Sequence, residues 1–70
     1  MKNRIKVERA INDLTQAELA EAVHVSRQTI NAIELGKYNP STTLALKIAH
    51  IFKTSVDKVF ELEEKDWKSK

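Results

Sequence analysis

Arg27, Gln28 and Asn31 fall in one short stretch that reads Ser26-Arg27-Gln28-Thr29-Ile30-Asn31-Ala32-Ile33-Glu34. These residue types can read the edge of a nucleic-acid base. A guanidinium offers a donor fork that fits guanine, and the amides of Gln and Asn match the donor and acceptor of adenine. On a helix, positions 27, 28 and 31 face outward with Thr29 beside them, while Ile30 and Ile33, three apart, turn inward. Catalytic chemistry finds no comparable group. His24 and His50 are the only histidines, cysteine is absent, and neither histidine has companions at metal-ligand spacing. Ser26 lies near His24, but it occupies a capping position and no acid or oxyanion donor accompanies it. One glycine cannot build a phosphate loop. Neither an enzyme nor a metal or cofactor site is expected.

The elements that must position these residues begin upstream. Thr15 precedes Glu18 at the spacing of a reciprocal capping box. After it, Gln16, Leu19, Ala20 and Val23 recur at i, i+3, i+4 and i+7, so one helical face turns inward. Ser26 can cap a second helix that carries the outward residues. Two short helices joined by a tight turn make a helix-turn-helix, here over residues 15–34. A steep crossing needs a small residue at the contact, and Ala20 supplies it. The turn needs positive φ, where glycine is the default. This chain places His24 there, at a cost of about 1 kcal/mol.

The remaining chain reads as further helices. Residues 3–12 form the first, with Asn3 as its cap, Ile5 and Arg9 one turn apart, and Asn12-Asp13 at a left-handed exit. Gly36 follows Glu34-Leu35, the place for a left-handed stop. Lys37-Tyr38-Asn39 then leads to Pro40, and Ser41 caps a helix over 42–52. Its stripe of Leu44, Ala45, Ile48, Ala49 and Phe52 is core. Lys53 makes the end of that helix less well specified. Ser55 caps a short helix over 56–60. The alternation Phe60-Glu61-Leu62-Glu63 allows a short strand, set against a frayed acidic tail. The division is a domain over 1–60 and a tail over 61–70.

Seventy residues make one domain near the lower limit for a self-sufficient core. The formal charge is +2, and the sequence pI near 9.0 agrees with an anionic partner without establishing one. Nine Lys and Arg stand against six Asp and Glu in residues 1–60, and three against four in the tail. The N-terminus lacks the apolar segment of a secretory signal, and the longest apolar run, Leu44 to Phe52, is about half a membrane span. A soluble, cytoplasmic protein is expected.

Taken together, Leu14-Thr15-Gln16, Glu18-Leu19-Ala20, Val25-Ser26-Arg27-Gln28-Thr29-Ile30, Ile33-Glu34, Gly36 to Ser41, Leu44 to Ala49 and Val59-Phe60 resemble the Cro and phage-repressor (XRE-type) helix-turn-helix family. The likeness is especially close to its compact stand-alone regulators and covers residues 3 to 60. It implies an all-α, five-helix phage-repressor-like DNA-binding domain, with a possible short C-terminal strand. Arg27, Gln28 and Asn31 would read bases. Gln16, Ser26, Thr29, Lys37, Tyr38 and Asn39 would hold the DNA backbone, with Thr42, Lys2 and Arg4 as further phosphate contacts. The resemblance also implies a partly buried ion pair between Arg9 and Glu34. Two departures stand out. Ala32 occupies a place where several repressors carry a polar base contact, and Glu8 and Val7 exchange the family's usual apolar and polar positions.

The function implied is a sequence-specific regulator of transcription, a repressor acting as a homodimer on double-stranded DNA. Val56, Val59, Phe60, Leu62 and Trp67 are expected to supply the dimer surface, with Val56 and Phe60 also closing the monomer core. The alternative keeps the fold and changes the ligand: an antitoxin or accessory factor whose main partner is a protein. A complex that survives high salt, or a toxin gene beside its own, would separate the two. A recruitment module that had lost DNA binding would carry a degraded 26–34 helix, and this one is intact.

Overall fold

Four helix stops of one design set the path of the chain. At each, a residue with positive φ turns the backbone, its own N–H bonds the carbonyl three residues back, and the next N–H reaches five residues back. The residues are Asp13 (φ 57°), His24 (φ 64°), Gly36 (φ 76°) and Lys53 (φ 59°). The paired bonds run from Asp13 to Ala10 and Leu14 to Arg9, from His24 to Glu21 and Val25 to Ala20, from Gly36 to Ile33 and Lys37 to Ala32, and from Lys53 to His50 and Thr54 to Ala49. This is the Schellman arrangement, which satisfies carbonyls that a helix end would leave bare.

The computed structural model describes residues 1–68. In order, these form strand β1 (Lys2–Asn3), helices α1 (Ile5–Ile11), α2 (Gln16–Val23), α3 (Arg27–Glu34), α4 (Thr42–Ile51) and α5 (Val56–Val59), strand β2 (Phe60–Glu61) and helix α6 (Glu64–Trp67). The starts of α2, α3 and α4 follow from local sequence. Thr15 and Glu18 form the reciprocal box, with bonds of 3.0 and 2.9 Å. Ser26 Oγ accepts from the Thr29 amide at 3.1 Å, and Ser41 Oγ from Leu44 at 3.1 Å. Ser55 stands at the start of α5 but makes no side-chain cap.

Asn3 is not the cap of α1. It lies in β1, its Oδ1 accepts from the Ile5 amide at 3.1 Å, and its Nδ2 donates to the Ile33 carbonyl at 2.8 Å. The helix therefore starts later than the sequence suggests, because Asn3 ties the N-terminus to the end of α3. β1 pairs antiparallel with β2, Lys2 opposite Glu61 and Asn3 opposite Phe60. The alternation from Phe60 thus yields a strand of two residues, followed by α6 rather than a longer strand. The last two positions of the 61–70 tail lie outside the described residues.

One core joins the elements. Ile5, Leu19, Val23, Ile30, Ile33, Ile48 and Val59 are buried almost completely, with Ala20, Leu44, Ala49, Phe52 and Phe60 around them. Removing each of the Ile, Leu, Val and Phe side chains from water is worth about 1.5–3 kcal/mol. Ala20, on α2, is only 3% exposed and belongs to this core. Val7 is exposed, and the half-buried Glu8 makes no side-chain hydrogen bond to the described residues, so no local donor meets that carboxylate.

Candidate nucleic-acid interface

Burial of Ile30 and Ile33 fixes the roll of α3 and turns Arg27, Gln28 and Asn31 to the surface. The side chains of Arg27 and Gln28 make no hydrogen bond or ion pair with any described residue, and both are exposed. Together with Gln16 and Asn31 they line a shallow concavity of about 170 Å³. The half-buried Thr29 shares a 2.9 Å hydrogen bond between its hydroxyl and that of Ser26. Lys37, Tyr38 and Asn39 are exposed in the loop after the Gly36 stop.

Behind this surface runs a hydrogen-bonded chain. Arg9 grips Glu34 with two donors, Nε to Oε2 at 2.6 Å and Nη2 to Oε1 at 3.3 Å, and its Nη1 donates to the Leu14 carbonyl at 3.0 Å. The Arg9 and Glu34 side chains are only 16% and 9% exposed. Gln16 Nε2 donates to Glu34 Oε1 at 3.0 Å and to Asn31 Oδ1 at 3.1 Å. Gln16 therefore joins a partly buried ion pair to an exposed residue of α3. Its amide nitrogen is engaged within the chain, and gripping a phosphate would require it to release one of those partners.

Residues 5–59 match a family model described as Helix-turn-helix. The chain belongs to that family. An uncharacterised HTH-type transcriptional regulator of Methanocaldococcus jannaschii is 52% identical over 64 residues, spanning 91% of this chain and 97% of that one. The uncharacterised HTH-type transcriptional regulator YgzD of Bacillus subtilis is 48% identical over 66 residues, 94% of this chain and all of its own (100%). Among solved structures, the clp gene regulator ClgR of Corynebacterium glutamicum superposes with a TM-score of 0.71 at 33% identity. That match covers 74% of this chain and 55% of ClgR.

One further cation adjoins Gln16 and Arg27. Lys6 on α1 is exposed and lines a larger groove of about 880 Å³ with Thr15, Gln16 and Arg27. Lys6, Ala10 and Asp13 recur along one side of α1 and its exit, and that spacing was the available signal. Lys2 and Arg4 line a different concavity, with Asp57, Lys58 and Glu61. No helix among the described residues is long and apolar enough to cross a membrane.

The expected dimer residues separate into two groups. Val59 and Phe60 are 1% and 7% exposed and belong to the chain's own core, and Val56 packs against it. Val59 and Phe60 therefore offer little free surface, and Val56 is half-buried. Leu62 and Trp67 remain exposed.

Proposed function

We propose that this protein is a sequence-specific DNA-binding regulator of transcription that lays α3 in the major groove of double-stranded DNA. Arg27, Gln28 and Asn31 meet base edges, while Ser26, Thr29, Lys37, Tyr38 and Asn39 meet the backbone together with the amino end of α2. The observation that carries this reading is the polar surface of α3. Arg27 and Gln28 are exposed with no partner among the described residues, on a helix whose opposite side is locked in the core. The short helix-turn-helix covers few base pairs, so two copies acting as a homodimer, with their α3 helices about 34 Å apart on a near-palindromic site, supply regulatory affinity. Occupying such a site represses the promoter it overlaps. Selection of bound duplexes from a random pool, at stated salt, tests the reading. A recovered palindromic consensus supports it, and a pool that stays random overturns it.

A further inference from the structure

The chain from Arg9 to Asn31 has a chemical direction. Arg9 can only donate and the Glu34 carboxylate can only accept. The group of Gln16 that lies 3.0 Å from Glu34 Oε1 must therefore be its NH2 end. That same nitrogen lies 3.1 Å from the side chain of Asn31, so the Asn31 atom facing it must be the oxygen. Asn31 then turns its own NH2 away from Gln16. An asparagine alone on a helix can rotate its amide to offer either end. Here the choice is made by a partly buried ion pair two hydrogen bonds away.

We infer that Gln16 and Glu34 are specificity-determining positioning residues, which hold Asn31 as a hydrogen-bond donor toward the bound base. The inference rests on the DNA-binding reading above and refines it. A donor at this point suits purine N7, guanine O6 or thymine O4. It rejects cytosine, whose major-groove edge offers only the N4 amino donor. Adenine remains acceptable through its N7, which accepts from the Asn31 amide. The Arg9–Glu34 pair thus does more than hold α1 against α3, because its charge order reaches the base.

Pool selection with the full chain, comparing wild type with Gln16→Ala, Glu34→Gln and Asn31→Asp, tests this. Wild type is expected to exclude cytosine by about tenfold at one position of each half-site, the scale of a single base contact. Gln16→Ala and Glu34→Gln should flatten that exclusion to about twofold while the positions read by Arg27 and Gln28 keep their preference. Asn31→Asp can only accept, and should make cytosine the favoured base there. Should Glu34→Gln fail to fold, Gln16→Ala carries the test, since it leaves the ion pair in place. A Gln16→Ala profile that superposes on a selective wild type overturns the inference and leaves the DNA-binding reading standing. An Asn31→Asp protein that still rejects cytosine has the same meaning. A wild type that selects nothing overturns both.

Discussion

Arg9 and Glu34, twenty-five residues apart in the chain, meet through two hydrogen bonds with little of either side chain left in water. Removing one partner strands the other charge. Glu34→Ala should destabilise the protein by about 3–5 kcal/mol, whereas the exposed Glu21→Ala should stay within about 0.5 kcal/mol. Replacing both Arg9 and Glu34 with apolar residues should recover part of the loss. Urea unfolding of the four proteins of the cycle measures the coupling, and strict additivity would refute it.

Base-reading and backbone-holding residues should separate under salt. Arg27→Ala and Gln28→Ala are each expected to weaken the preferred site by about 1–3 kcal/mol and to relax preference at one or two positions. Lys37→Ala should weaken all sequences alike and reduce the salt slope by about one. Anisotropy titrations over a range of chloride concentrations distinguish them. An Arg27→Ala protein with unchanged affinity and preference would disprove the docking of α3.

The dimer proposal now points to Leu62 and Trp67, since Val59 and Phe60 are enclosed. Sedimentation at tens of micromolar should give a dimer that Leu62→Glu with Trp67→Ala converts to a folded monomer, whose unfolding midpoint no longer rises with protein concentration. If full-length wild type is monomeric and binds one half-site, the proposal fails. A dimer indifferent to both changes moves the interface to another face of the molecule.

Stability should fall at both ends of the pH range through the junction of the termini. The Met1 ammonium lies 2.9 Å from Glu63 Oε1 and 3.3 Å from Asp66 Oδ2. The hydrogen bond to Glu63 chiefly raises the amine above its ordinary 8.0. In turn it holds Glu63 below 4.5, while the Glu63 backbone amide chiefly holds Asp66 below 3.8. The amine's contribution is complete below pH 8.0 and disappears as pH rises through its elevated value. The carboxylates contribute fully above their ordinary values and cease to do so as pH falls through their depressed ones. Thermal midpoints against pH should therefore drop on both flanks, and Glu63→Gln should flatten each. An identical profile for Glu63→Gln would exclude the junction as the cause.

Much of this architecture was legible because its determinants are local. The Thr15–Glu18 box, the Ser26 and Ser41 caps and the inward stripes of α2, α3 and α4 need only residues three or four apart. The β1–β2 pair was hidden, since it joins two dipeptides from opposite ends of the chain. Helix α6 was hidden for another reason. Glu63 and Asp66 cap it reciprocally, yet in sequence they look like any solvated acidic run. At the interface, periodicity shows that Arg27, Gln28 and Asn31 face outward. It cannot show that Gln16, one helix earlier, binds Asn31 and Glu34, because that depends on how α2 lies across α3.

The four matching helix stops bear on the chain before it folds. Three of them use Asp13, His24 and Lys53 in a conformation that glycine adopts freely. Glycine there would relieve about 1–2 kcal/mol of native strain at each stop. It would also give the unfolded chain more freedom to lose, offsetting about 0.4–1 kcal/mol of the gain. With one glycine among seventy residues, the denatured chain is comparatively stiff, so less disorder has to be surrendered when these stops close. The strained turns and the low entropy of the unfolded state are therefore two effects of the same three side chains.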